Sequence, residues 1–264
     1  MNIHETAIIS DKAEIHPTAS IGAYCVIGPN VKIGENTKIS PYVHIIKNTV
    51  IGNNNTISSG AVIGDAPQDL KFDNSETYIE IGDKNLIREF VTIHRASSTE
   101  RITKIGNNCM FMVGSHVAHD CTVHDNVILT NYACLAGITT VERNAILSAY
   151  AAIHQFCRVG KYCMIGGYSK ITQDVPPFCM VADNPAKLVA INSIGLKRAG
   201  LTYNDLQELK HAFKKLFSSK SQLTVEAKKI AEETDNEHVL YLANFVLNPS
   251  SRGILHKRAG EIID

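Results

Sequence analysis

The sequence carries no net charge, because its 26 lysines and arginines are matched by 26 aspartates and glutamates. That balance excludes a global basic field able to gather nucleic acid or an anionic membrane surface, so any polyanionic partner must be met by a local patch. No apolar run approaches the ~18 residues that a membrane-spanning helix needs. The opening stretch MNIHETAIISDKAEIHP has no basic segment followed by an apolar one. These absences lead to the expectation of a cytoplasmic protein without a membrane span. The seven cysteines form no CxxC pair, which argues against a zinc ribbon, and their odd number argues against a disulfide framework.

What the chain does have is an internal repeat. An aliphatic or aromatic residue recurs every six positions in one register, from Ile3, Ile9, Ile15 and Ile21 through Ile63, then at Ile81, Ile87, Ile93 and Ile105, and on from Phe111 to Ile171. Asp69, Ser75 and Thr99 alone break the series. Four residues after each of these sits something small or compact, such as Ala7, Ala19, Val43, Ser115 or Ala133. Five of the seven cysteines, Cys25, Cys109, Cys121, Cys157 and Cys163, occupy that slot and read as small hydrophobes in a narrow interior. A period of six fits neither a helix at 3.6 nor a strand at 2. It fits short strands bent at regular corners, three to a turn, each 18-residue coil being a triangle stacked on the last. The expected fold is a β protein, a left-handed parallel β-helix of hexapeptide repeats with a C-terminal α-helical domain.

Residues 65–80 and 96–104 are polar insertions after which the register resumes, and are expected as loops expelled on the binding face. The expected organisation is a β-helix over 1–186 and a helical domain over 187–264. From Leu188 the spacing reads as helical, with Gly200 in a C-cap position and Thr202 as an N-cap; two further helices follow at about 222–233 and 236–247. Stacked coils leave parallel faces uncovered, so a homotrimer around a three-fold axis would bury one of them.

Stacking every 18 residues also shows which outward side chains share a column. His119, Gly137 and Gln155 should lie one above another, Asp120 beneath Ile138, and His116 beneath Cys134. A neutral imidazole is the usual group for taking a proton from a sugar hydroxyl, and a glycine one coil away leaves a bare amide for an oxyanion. The combination suits acyl transfer. A single outward histidine is more often solvated or at an interface, but the grouping of His116, His119 and His154 beside Gly137 and Gln155 favours catalysis. The H-x-x-H spacing does not reproduce the wider pair of the trimeric hexapeptide zinc enzymes, so no metal site is expected. Asp69 and Lys71 alone read as a solvated loop pair, and Lys197 and Arg198 as cations closing a helix.

The repeats, the GDAPQDLKF loop, VTIHR, SHVAHDC, HQF, QDVPP and INSIGLKRAG resemble the bacterial UDP-N-acetylglucosamine 3-O-acyltransferases, which use acyl carrier protein and begin lipid A synthesis. The resemblance spans nearly the whole chain. It implies His119 as general base supported by Asp120, and the Gly137 amide as oxyanion donor. It also implies Asp69 and Lys71 holding the sugar and phosphates, His116, His154 and Gln155 lining the site, and Asn192 and Arg198 reaching the nucleotide. Gly167 matches the position that gauges acyl length and leaves room for a long hydroxyacyl chain. No metal or nucleotide cofactor is implied, because the thioester already supplies an activated acyl group. Two positions depart from the family pattern: Ile138 stands where many members have His, and Ile194 where they have Glu. They leave open the same reaction on a 3-amino sugar analogue, and the non-catalytic alternative is a trimeric solenoid scaffold. The related N-acyltransferase, with its separate N-terminal domain, and a coenzyme A-dependent acetyltransferase fit the chain less well. Lys197, Arg198, Lys210, Lys214, Lys215 and Lys220 form a basic stretch expected to dock the acidic carrier protein.

Overall fold

A computed structural model describes residues 2–218 and 222–256; Lys220 and the last eight residues of the expected helical domain lie outside that range. Among the described residues, three sheets of eleven, nine and eight strands, parallel except for the last strand of the first, form the faces of a left-handed β-helix. The first sheet contains Ser20–Ile21, Met110–Phe111 and Met164–Ile165, the second His116–Val117 and Cys134–Leu135, and the third Thr122–Val123 and Thr140–Val141. Register follows the 18-residue period, pairing Asn2 with Ser20, His116 with Cys134 and Thr140 with Arg158.

Most strands are two residues long because only two positions per hexapeptide remain extended before the next corner. The repeat residue points inward and is buried along almost the whole series; Ile27, Ile45, Ile63, Phe111 and Leu135 are at most 1% exposed. The small-residue slot is filled as expected, with Cys25, Val43, Cys121, Ala133 and Cys163 fully buried. Burial pushes the Cys109 and Cys157 thiols up to about 11 and Cys121 to about 12, which keeps them protonated packing groups.

The corners require left-handed backbone, and the sequence supplies it in two ways. Asn36, Asn54, Asn108, Asn126 and Asn144 take it at one corner with φ between 54° and 61°, as asparagine does more readily than most residues. At the corner from the first to the second sheet, Tyr132, Tyr150 and Tyr168 take it instead. Their rings stack at 5.2 and 4.9 Å, and the stacking offsets part of the backbone cost.

Two sequence expectations need adjusting. The insertions are shorter than drawn, because Tyr78–Ile81 and Ile102–Ile105 are strands of the third sheet that pair with each other, leaving 66–77 and 95–101 as the expelled loops. The segment Lys187–Ile191 is not helical; it is a strand running antiparallel to Cys179–Ala182 and closing the first sheet. Backbone pairing with an open sheet edge outweighs local helical spacing there. The helices are α1 (Ser193–Arg198), α2 (Tyr203–Ser218), α3 (Leu223–Glu233) and α4 (Glu237–Leu247). Gly200 follows α1 with φ 92°, and Thr202 exchanges hydrogen bonds with Asp205 at the start of α2.

The interior is narrow, so the one aromatic repeat residue fills it where aliphatics serve elsewhere. Phe111→Ala is expected to lower stability by about 3–5 kcal/mol, measured as a shift in the urea unfolding midpoint; a loss below about 1 kcal/mol would mean the coil collapses around the gap.

Candidate active site

Both expelled loops leave the solenoid at one corner, the turn from the second sheet to the third. The next coil crosses the same corner between His116–Val117 and Thr122–Val123, which places His119 and Asp120 directly after the loops. The column runs as the period requires: Ile138 N–H donates to the His119 carbonyl and Phe156 N–H to the Gly137 carbonyl.

His119 Nδ1 lies 2.7 Å from Asp120 Oδ2, and their side chains are 15% and 2% exposed. Burial raises the Asp120 carboxyl, but hydrogen bonds from His119 and Ser97 outweigh it and hold the group below its ordinary range. An ionised carboxylate only accepts, so Nδ1 carries the proton and Nε2 keeps its lone pair. That free nitrogen is turned toward Gly137, where a Cβ would stand 2.6 Å from Nε2 and 2.5 Å from Cε1 of His119. Glycine at 137 is therefore demanded by the imidazole lying against its Cα. Among the described residues the Gly137 N–H donates to no acceptor. A base with a free lone pair thus faces a bare backbone amide, the arrangement needed to deprotonate a hydroxyl and receive charge on an attacked carbonyl oxygen.

Several neighbours escaped the register argument because the loops shift them by a non-integral number of coils. Ser97 donates its N–H to Asp120 Oδ1 at 2.9 Å and its hydroxyl to Oδ2 at 2.6 Å. Arg101 approaches Oδ2 at 3.6 Å, and the Thr103 hydroxyl accepts the Asp120 N–H at 2.8 Å. His116 Nδ1 meets Thr92 Oγ1 at 2.7 Å, and its ring packs edge-on against His94 at 5.0 Å. VTIHR was visible as a motif, but only the pairing of Thr92 with His116 puts it here. Burial drives the His116 imidazole down to about 4, reinforced by His94 and His119; His94 is lowered by burial as well.

The remaining sequence candidates divide by corner. His154 and Gln155 sit at the His119 corner higher up, half-buried and exposed respectively, with His154 Nδ1 turned to its neighbour's carbonyl at 3.1 Å. Asp69 and Lys71 lie in the first loop, which leaves this corner, and Asp69 caps the Lys71 amide at 3.0 Å. Gly167 is exposed in the turn from the first to the second sheet, where an added Cβ meets only the Ala149 carbonyl at 3.3 Å. Asn192 caps α1 and donates to the Tyr162 carbonyl, and Arg198 ends the same helix, exposed. One chain thus gathers His116, His119, Asp120 and Gly137, while Gly167, Asn192 and Arg198 lie on other edges. Ile138, half-buried at φ 61°, is a β-branched residue in left-handed backbone beside the column, and Ile194 is exposed on α1.

His116 is kept neutral by burial while the unfolded chain titrates near 6.5. The folded value of about 4 means the unfolded state binds more protons between those limits. Stability is then complete above pH ~6.5 and falls as the pH drops toward 4. Melting temperature against pH should show this slope, and His116→Gln should flatten it; an unchanged slope would assign the acid sensitivity elsewhere.

Two family models match. Residues 30–65 and 102–137 match the bacterial transferase hexapeptide repeat, and 174–255 match domain 2 of UDP-N-acetylglucosamine O-acyltransferase. An acyl-[acyl-carrier-protein]–UDP-N-acetylglucosamine O-acyltransferase of Aliarcobacter butzleri is 43% identical over 97% of this chain and 99% of its own. The structure of UDP-N-acetylglucosamine O-acyltransferase from Moraxella catarrhalis is 39% identical, covers 97% of this chain and all of its own, and superposes with a TM-score of 0.92. That of the Francisella novicida UDP-N-acetylglucosamine acyltransferase is 38% identical, covers 98% of this chain and 94% of its own, and superposes at 0.93. By descent as well as by architecture, the chain belongs to the UDP-N-acetylglucosamine O-acyltransferase family.

Proposed function

We propose that this chain moves an acyl group from acyl carrier protein to the 3-hydroxyl of UDP-N-acetylglucosamine, with His119 as general base. The observation that carries the reading is the stack of Asp120, His119 and Gly137, in which a carboxylate fixes Nδ1 and leaves Nε2 beside a free amide. In this mechanism Nε2 takes the proton of the sugar 3-hydroxyl as its oxygen attacks the thioester carbonyl. The Gly137 N–H receives the oxyanion. Collapse breaks the carbon–sulfur bond, and the imidazolium returns the proton to the departing thiolate of the carrier. Asp120 remains ionised throughout and stabilises the transient imidazolium. Donor and acceptor are the two compounds for which the relatives are named.

Asp69 and Lys71 serve the sugar and its phosphates from the first loop, with His116, His154 and Gln155 lining the corner. Gly167, Asn192 and Arg198 reach the same substrate from a neighbouring copy, since outward groups on different edges of one prism diverge. A homotrimer fits this division. The outer face of the first sheet is apolar over Leu86, Met110, Ile128, Ile146, Met164 and Met180, and Tyr132, Tyr150 and Tyr168 stand 47%, 47% and 71% exposed along its edge. Both features suit burial against a second copy. Lys210 and Lys214 line a surface with Val189, Ala190 and Phe213, and together with exposed Lys197 and Arg198 they suit the acidic carrier protein, whereas Lys215 is engaged with Glu233 at 2.9 Å. The free cysteines suit a reducing cytoplasm. Among the described residues no helix is long and apolar enough to cross a membrane.

The test is mass spectrometry of products formed from hydroxyacyl carrier thioesters of several lengths with UDP-N-acetylglucosamine or its 3-amino analogue. An ester on the hydroxyl acceptor is expected; product on the amine alone would overturn the acceptor assignment. His119→Ala should reduce turnover by roughly 10²–10⁴-fold, and full activity there would return the chain to the scaffold reading. Gly137→Ala should displace the imidazole and reduce turnover by about 10²-fold with an unchanged melting temperature, because the colliding group is a side chain.

A further inference from the structure

Asp120 is the one acidic side chain in the corner column formed by Asp120, Ile138 and Phe156. It is also the place where the solenoid's regularity is interrupted just below, and the interruption supplies the donors that the repeat lacks. Residues 95–101 fold over the corner as a fixed loop: Arg95 N–H bonds the Asp65 carbonyl, Ala96 N–H the Tyr78 carbonyl, and Arg101 N–H the Ser98 carbonyl. The Arg95 guanidinium, buried, donates to the Gly64 carbonyl at 3.1 Å and lies over the Phe72 ring. The loop is thereby anchored to the backbone on two sides before it reaches Asp120.

We propose that this loop is a positioning element for the general base, with Ser97 and Arg101 holding the Asp120 carboxylate so that Oδ2 faces Nδ1 of His119. The proposal rests on the reading of His119 as the base. Two bonds from one residue, N–H to Oδ1 and hydroxyl to Oδ2, fix both the position and the rotation of the carboxylate plane. Thr103 fixes the Asp120 backbone from below. With the carboxylate unable to turn, the imidazole has a single favourable orientation, the one that lays Nε2 against Gly137.

The loop also governs how strongly that carboxylate supports a positive imidazolium. The Ser97 hydroxyl and the His119 Nδ1–H share the same oxygen, at 2.6 and 2.7 Å, and Arg101 brings a cation to 3.6 Å from it. Each competes with the imidazolium for the charge on Oδ2. The other titratable groups facing His119 are His94 and His116, both lowered toward the neutral form. Ser97 and Arg101 are therefore the adjustable groups around the base. Neither is assigned contact with the reacting atoms.

The test is the pH profile of kcat/KM, with kcat and KM determined separately, for Ser97→Ala, Ser97→Thr and Arg101→Gln in the full chain. Ser97→Ala should lose about 10-fold in kcat with little change in KM. Its acid limb should move to higher pH, because the freed oxygen stabilises the protonated base. Ser97→Thr, which keeps the hydroxyl, should restore both. Arg101→Gln should move the limb in the same direction. Should Ser97→Ala keep the parent kcat and limb, or lose activity with the limb unmoved and Thr failing to rescue, the positioning role is overturned. A rise in KM alone for Arg101→Gln would make that residue a substrate contact and likewise overturn its part. His119→Ala in the same assay separates the two readings: if it is active, the base assignment fails, and if it is inactive while Ser97→Ala is normal, only the positioning proposal falls.

Discussion

Everything in this molecule hangs on the hydrogen-bonded register between successive coils. Most strands contribute only two residues and none more than five, so no single strand is stable by itself; the ladder holds because successive coils present the same donors and acceptors to the one above. The inward residues must then be uniform in size, since a coil that bulged would break the ladder on all three faces. This is why isoleucine, valine and leucine recur at one position, and why the slot four residues on takes alanine, cysteine, serine, threonine, valine or asparagine but no aromatic side chain.

The same regularity creates the His119 corner and also limits it. A strict repeat places chemically similar environments above one another, and it offers outward side chains few partners beyond their vertical neighbours. His119 gains Gly137 in this way, from the coil above. Its partner Asp120 gains the Ser97 and Arg101 donors only because residues 95–101 leave the repeat at this edge and return across the corner. The departures from periodicity are thus where the polar network concentrates, and the periodic part is the frame that aims it.

The helical segment after residue 192 has a different logic. It covers the end of the solenoid with apolar side chains such as Leu206, Leu209, Leu242 and Val246, all at most 4% exposed. It is tied to the coils by polar joints, among them Tyr241 donating to Glu142 at 2.9 Å and the Lys161 ammonium lying 3.5 Å from the centre of the Tyr241 ring. Burial lowers that lysine, and opposing charges from Arg143 and Glu142 act on it in turn.

The amino-acid order by itself determined the β-helix, its interior and the vertical neighbours of His119, because a six-residue period is a local property that constrains every coil alike. The cysteines as packing groups, the cap at Thr202 and the glycine after α1 were legible for the same reason. What only the tertiary structure decided lies where that period fails. Lys187–Ile191 became a strand because an open sheet edge was waiting for it, a fact carried by no local pattern. Ser97 and Arg101 reached Asp120 because loop length and anchoring at Arg95 set where the chain returns. The turning of Nε2 toward Gly137 came from a carboxylate oxygen 2.7 Å from Nδ1, since a hydrogen bond fixes a ring only once the folded backbone has brought its partner within reach.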